Sequence, residues 1–339
     1  MPGLLARYRR TGADLPFGDP VVAHAVAMEG YFWRFTQRDT GRVLIALAGI
    51  NRADDGCWAT LGLAAHPGGF LRTAAHPVAG AATDRLGAFA GDAFRGTADH
   101  LRVDLGPGAR LDVQIIDPTP WPRRRLGGSG LFHVVPGLNQ YWHPWLLGGR
   151  ARGWADVDGE RWDLDGAQAY GEKNWGKAGF PDSWWWGQAQ GFDDPRVCVA
   201  FAGGDVTVGP LRTEVTSVVV ALPDGTVVRL ANPITAPIRA RVEDGTWRLG
   251  GGSRRWSVDI EGHAPLSGAR VLPVPLPAQR RNIPGALEHL AGKLRVTVRR
   301  DDRCVLSGES HLAGLEWGGI SRAHDELRRR ETRGRGAQN

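Results

Sequence analysis

This sequence predicts an all-β protein: two tandem domains of antiparallel strands, each a barrel or sandwich, followed by a short C-terminal helix. Three observations carry that prediction. At 339 residues the chain exceeds what one ordinary hydrophobic core organises. Glycine and proline number 48 and 22, which suits short strands and tight turns better than long helices. Apolar side chains recur with period two along most of the chain.

Residues 31–38, 42–50 and 57–64 alternate in this way between short polar turns and read as strands. Residues 101–105 and 109–116 flank Gly-Pro-Gly and form a further pair. Residues 213–222 and 226–230 flank Pro-Asp-Gly, where Pro presets φ and Gly accepts a positive φ. Residues 254–262, 293–300 and 309–317 continue the pattern. A helix is expected over 321–330, with Ser321 placed to cap it. A second short helix is compatible with residues 284–289, since Pro284 is tolerated in a first turn.

An internal repeat supports two copies of one unit. Tyr31-Phe32-Trp33 and Trp184-Trp185-Trp186 are aromatic triplets, each followed by a strand ending in Gln and then a polar turn. The next strands, from Arg42 and from Arg196, share the pattern RV-x-x-A-x-A-G. This match aligns Trp33 with Trp186 and Arg42 with Arg196. It divides the chain into residues 20–165, 166–320 and a basic tail, 321–339.

The net charge is +6 and the sequence pI about 9.7. Half of that excess lies in the tail, where six Arg face three acids. A solvated helix end explains this, so no nucleic-acid partner is expected. Peripheral contact with an anionic membrane surface would suit a lipid substrate. No apolar run approaches the ~18 residues needed to span a bilayer, and the N-terminus lacks a signal-peptide core, so a cytoplasmic location is expected. Cys57, Cys198 and Cys304 are far apart and odd in number, which indicates neither a disulfide framework nor a zinc site. His residues lack ligand spacing, and no phosphate loop, dinucleotide fingerprint or nucleophile elbow occurs. The expectation is chemistry without metal or cofactor.

The most informative segment is Tyr170 to Gln190, which carries Glu172, Lys173, Lys177 and four tryptophans. Only three lysines occur in the chain, against 39 arginines, so two lysines four residues apart are unusual. Lys is a compact point donor and Arg a planar fork, and a tight site distinguishes them. The segment lies near the junction of the two units, where clefts favour small-molecule sites.

The string Glu172-Lys173-Asn174-Trp175-Gly176, then Phe180-Pro181, then Trp184, Trp186 and Gln188, resembles the signature of the tocopherol cyclase family. Glu29-Gly30-Tyr31-Phe32-Trp33, Tyr141-Trp142-His143 and Ala313-Gly314-Leu315-Glu316 are similar to flanking strands of that family. The likeness covers roughly residues 20 to 320. It implies two lipocalin-like β-domains, as in the related carotenoid 1,2-hydratases, AttH-like proteins and fungal cyclisation enzymes. It also implies a hydrophobic isoprenoid or polyketide-type substrate. Gln190 departs from the Asn or His expected of nearer cyclases, which bears on the substrate more than on the fold.

The expected function is acid-assisted cyclisation of a prenylated quinol or related polyene, with alkene hydration or pericyclic closure in the same cavity, or a non-catalytic lipid or quinone carrier, as the alternatives. Cyclisation needs an acid kept protonated, a π-rich wall for positive charge, and a cavity that excludes water. Glu172 is a candidate acid, although the ammonium of Lys173 next to it would hold it ionised; the alternative is a structural carboxylate paired with Lys173 or an Arg, holding the loop. Glu29 either lines the first domain's mouth or faces solvent, and His143 either donates a proton, orients a donor or ends a strand. Alternation puts Trp184, Trp186, Gln188 and Gln190 on one face, as a cavity wall or as domain packing. Trp175 reads as a loop anchor and Asn174 as a turn cap or a donor to a substrate oxygen. Tyr31, Trp33 and Trp142 complete the expected substrate-binding set.

Overall fold

The computed structural model describes residues 3–123 and 125–336. Among these residues the strands form two antiparallel sheets, one of 12 strands and one of 10. Both follow one plan. In the first, the opening strand Met28–Gln37 lies between its hairpin partner Arg42–Ala53 and the unit's last strand, Gln168–Gly176. In the second, Trp184–Ala189 lies between Cys198–Val208 and the last strand, Arg303–Gly318. Beyond each last strand runs a long neighbour, Tyr141–Val157 in the first sheet and Arg281–Arg300 in the second.

Each sheet curls around its own core. Tyr31, Trp33 and Phe35 meet Leu44, Leu61, Val103 and Leu111 in one cluster of the first sheet. Trp185, Phe201, Trp247 and Leu294 do the same in the second. The opposite faces of the opening strands are also buried, because the sheets pack against each other there. Trp142, Leu147 and Tyr170 of the first unit join Trp186, Cys198 and Ala200 of the second.

Burial on both faces explains one correction. The sequence repeat pairs Trp33 with Trp186, yet Trp33 points into its barrel and Trp186 into the junction. Tyr31 and Trp33 face the first core as Trp185 faces the second, and Phe32 meets the junction as Trp186 does, so the repeat puts opposite faces in register. The alternation expected of residues 31–38 and 42–50 gives way to burial on both faces, so it does not fix the register.

A second correction concerns the signature. It does not open the second unit: Gln168–Gly176 closes the first sheet, and the second begins at Trp184. Third, residues 284–289 are not helical. They lie within the Arg281–Arg300 strand, which pairs on one side with Arg270–Leu276 and on the other with Arg303–Gly318. Two ladders of tertiary hydrogen bonds override a local helical pattern.

The tail differs as well. Its helix spans Ile320–Gly336, so Ser321 sits in the first turn and does not cap it. The helix is not merely solvated: Ala323 is fully buried against Ala269 and Leu287. Arg330 donates to the carbonyls of Leu266 and Ala269, and the Arg322 guanidinium lies 3.8 Å from the centre of the Trp317 ring. Residues 337–339 of the expected tail lie outside the described residues. A short N-terminal helix, Leu4–Arg9, had no signal in the sequence. No described helix is long and apolar enough to cross a membrane.

Candidate active site

A cavity of about 190 Å³ lies between the two sheets. Of the residues expected from the sequence, Glu172, Tyr31, Trp142, Asn174, Trp184 and Trp186 line it, with Phe32, Phe180 and Leu272 adding apolar wall. Phe32 and Trp186, from the two opening strands, meet edge to face at 5.2 Å. Gly30 makes room for Asn174: a Cβ there would lie 1.9 Å from its Oδ1. The Asn174 amide has no protein hydrogen-bond partner among the described residues, so it is free to meet a polar group in the cavity.

Glu172 is held by three donors, all on one oxygen. Trp142 Nε1 and Trp186 Nε1 each donate to Oε2 at 2.9 Å, and the Tyr170 hydroxyl donates at 2.6 Å. Burial pushes the carboxyl up to about 7, against the pull of those three bonds. Trp186 belongs to the second unit, so the site exists only where the units meet. With Oε2 saturated as an acceptor, the proton of the neutral acid belongs on Oε1, which has no protein partner among the described residues, and Glu172 itself lines the cavity.

The feared neighbour is absent from this site. Adjacent strand residues point to opposite faces, so Lys173 leaves the junction and enters the first unit. There it is fully buried, its Nζ 2.8 Å from Glu29 Oε2, 2.8 Å from the Val22 carbonyl and 3.0 Å from His24 Nδ1. The ammonium also lies over the rings of Trp175 and Tyr31, at 4.9 and 5.4 Å. His24 Nε2 meets Asp14 at 2.6 Å, and Asp14 meets Arg9 at 3.2 Å. Burial lowers the Lys173 pKa while Glu29 supports it, and burial raises Asp14 to about 6. Glu29 further accepts from the backbone N–H groups of His24 and Ala25. This network ties residues 9–29 across the signature strand. Neither Lys173 nor Glu29 lines the cavity.

Five other expected residues lie away from it. Trp33 packs in the first barrel with Phe94 and Trp145. Trp175 stacks between His24 and Tyr141 and donates to the Gly12 carbonyl at 2.7 Å, an anchor as expected. Gln188 and Gln190 are buried deeper between the sheets, where Gln190 donates to the Ala169 carbonyl and Gln188 reaches Cys198 Sγ. His143 also sits on the barrel side, accepting from the Gly128 N–H, with Trp121 and His133 edge-on. Burial holds His143 well below the ordinary imidazole value, so it is neutral and not a proton store.

Two carboxyls went unnoticed as site residues. Glu288 and Glu316 line the cavity and stand directly opposite each other on neighbouring strands. Trp184 Nε1 donates to Glu316 Oε1. Burial raises Glu316 to about 7. Burial and then Glu316 raise Glu288 well above the carboxylate range. The sequence did hold a signal: each is a lone acid inside an apolar run, Ala286-Leu287-Glu288 and Gly314-Leu315-Glu316.

Known proteins resemble this chain in both sequence and fold. The family model described as tocopherol cyclase-like matches residues 117–319, more than half of the chain. A probable chloroplastic tocopherol cyclase of Oryza sativa subsp. japonica is 29% identical over 201 residues, covering 56% of this chain and 42% of that protein. The chloroplastic tocopherol cyclase of Zea mays is 28% identical over 206 residues, covering 58% and 43%. The matched region thus spans less than half the length of these relatives. Among solved structures, CghA aligns with a TM-score of 0.55 at 13% identity, covering 87% of this chain and 88% of its own. Kievitone hydratase from Nectria haematococca aligns at 0.51 and 11% identity, covering 86% and 89%. A putative AttH from Nitrosomonas europaea aligns at 0.50 and 13%, covering 91% and 98%. At such identities the structural likeness speaks to the fold alone, and it is a lipocalin-like one. Matched by the family model over more than half its length, this chain belongs to the tocopherol cyclase-like family.

Proposed function

We propose that the cavity between the units catalyses acid-assisted intramolecular cyclisation of a prenylated quinol or a related hydrophobic polyene, without a cofactor. The observation that carries this reading is Glu172: a buried carboxyl whose Oε2 takes three donors, leaving Oε1 to present a proton to an apolar cavity. A pKa of about 7 keeps an acid protonated and still able to give its proton away near neutral pH. As the alkene accepts that proton, positive charge develops beside the faces of Phe32, Trp142 and Trp186. A hydroxyl of the substrate then closes the ring before water can intervene. Asn174, which lines the cavity, would hold the polar head group.

The test is incubation of the purified protein with a prenylated hydroquinone in ²H₂O, with mass spectrometry of the products. The expected product is an isomer of the substrate carrying one deuterium on carbon. Glu172→Gln keeps the size of the side chain but removes its proton, and turnover should fall ~10²–10⁴-fold. Activity within a few-fold of the parent would rule out Glu172 as the acid. A product enlarged by the elements of water would identify an alkene hydratase instead. An extracted lipid that the protein never turns over would identify a carrier.

A further inference from the structure

Ring closure by a hydroxyl gains one proton at carbon and loses one from oxygen, so an acid alone leaves the reaction incomplete. The remaining groups at the cavity answer that need. Glu288 and Glu316 are a direct cross-strand pair, with Cβ atoms ~5 Å apart in such a register. Two carboxylates so placed and shielded from water do not both ionise. Glu316 takes the Trp184 indole N–H, whereas both oxygens of Glu288 are buried with no partner among the described residues. Both side chains line the cavity, and one proton held by the pair relieves the repulsion of two adjacent carboxylates.

The charges facing the pair count the protons. Arg34, on the first unit's opening strand, is fully buried; its Nη2 donates to the Leu290 and Leu312 carbonyls at 2.6 Å, on the two strands that carry the pair. Its Nε and Nη1 are unpartnered, and its charge bears on Glu288. Arg270 also acts on Glu288, from a half-buried position anchored on the Ala65 carbonyl. Glu172 is the third carboxyl in range of both. Arg270 is only half-buried and is screened by solvent, so the enclosed charge to be balanced is that of Arg34. One carboxylate among the three carboxyls matches it, which assigns one proton to Glu172 and one to the pair.

We propose that Glu288 and Glu316 form a one-proton dyad that takes up the hydroxyl proton of the substrate, so that the cavity selects molecules carrying both an alkene and an acidic hydroxyl. This rests on the cyclisation reading above and supplies its missing half. The Glu172 O–H bond breaks as a C–H bond forms. The substrate O–H bond breaks as the C–O bond forms, and its proton goes to the dyad's carboxylate. Glu172 is then ionised and the dyad doubly protonated. Transfer of one proton back to Glu172 resets the site, and the cavity keeps one negative charge throughout. Glu288 and Glu316 are catalytic residues in this scheme.

The experiment has two arms. Infrared spectra of the resting protein, without substrate, should show two protonated carboxyls near neutral pH. Glu172→Gln should remove one of them. Glu288→Gln and Glu316→Gln should each remove the other, because the carboxyl left behind ionises to balance Arg34. Three protonated carboxyls, or a Glu288→Gln spectrum that keeps both, overturns the dyad whether or not any turnover is found. The second arm uses a prenylated hydroquinone and its O-methyl ether in ²H₂O. The ether cannot close a ring, and deuterium entering its alkene reports the acid step alone. Arg34→Met/Glu288→Gln/Glu316→Gln, which removes the pair together with the charge it balances and so leaves Glu172 protonated, should retain that exchange and lose ring closure of the free hydroquinone ~10²–10⁴-fold. Ring closure at the parental rate in this triple variant overturns the proposal and leaves the Glu172 reading standing. If the parent neither exchanges nor cyclises, the cyclisation reading fails and the infrared arm alone decides the dyad.

Discussion

The two units place equivalent strands around the cavity and put different chemistry on them. Phe32 of the first unit pairs with Glu172, and Trp186 of the second pairs with Glu316. On the next strand Glu172 faces Pro144, whereas Glu316 faces Glu288. Two residues along each opening strand stand Arg34 and Gln188. The first unit thus offers a single acid and a cation that crosses the junction. The second offers two acids and a neutral amide. Two units of one plan thus hold an isolated carboxyl and a paired one. In the proposed reaction, electrostatic environment, not residue type, would set which carboxyl gives a proton and which takes one.

That contrast is most exposed at Arg34. Replacing it with Met leaves the buried carboxylate of the second unit uncompensated and should cost about 3–5 kcal/mol at neutral pH, measured by urea unfolding. Adding Glu288→Gln should recover part of the loss, since the two residues couple. A cost under ~1 kcal/mol would break the charge balance assigned to the pair.

A smaller effect should separate Glu172 by pH. Burial puts its folded-state pKa at about 7, against ~4.3 in an unfolded chain. Between these values the folded protein holds a proton that the unfolded chain has lost. Its contribution is fully present below about pH 4 and is lost as pH rises to about 7, on the order of 3 kcal/mol in all. Glu172→Gln should abolish that slope and gain stability over the parent from about pH 5 to pH 8. Identical pH profiles for variant and parent would mean that Glu172 is an ordinary ionised carboxylate.

The covers of the two units give the smallest expected effect. Residues 9–29 close over Lys173 in the first unit, while the helix Ile320–Gly336 lies on the second. Deleting residues 320–339 should cost roughly 2–3 kcal/mol, from the lost Arg330 hydrogen bonds and Ala323 burial. An unchanged unfolding midpoint would return the helix to the status of a solvated tail.

How far the sequence disclosed this molecule depends on how many faces of a strand are buried. Strands 31–38 and 42–50 were legible as strands from turns and composition, but with both faces apolar their facing was not. The Glu172–Gly176 signature was legible as a site because Lys is rare and Trp dense there. Its separation into two sites, Glu172 at the junction and Lys173 inside the first unit, follows from strand alternation once a strand is assigned. Glu288 was hidden because its segment also fits a helical turn, and only pairing with distant strands decides between the two. Arg34 was invisible for a related reason: its partners are backbone carbonyls of the other unit, to which no side-chain pattern points.

The indoles around the cavity have a use beyond packing. Trp142 and Trp186 give their N–H groups to Glu172, and Trp184 gives its own to Glu316. Each of these bonds strengthens when its carboxyl loses a proton, because an ionised acceptor binds a donor more tightly. The indole N–H resonances of these three residues therefore act as a built-in gauge of where the protons sit. In a nitrogen-labelled sample, Trp142 and Trp186 should move together as Glu172 titrates, while Trp184 follows the pair on the other side. Proton traffic in this protein can thus be watched from the tryptophans, with no label on the carboxyls and no substrate in hand.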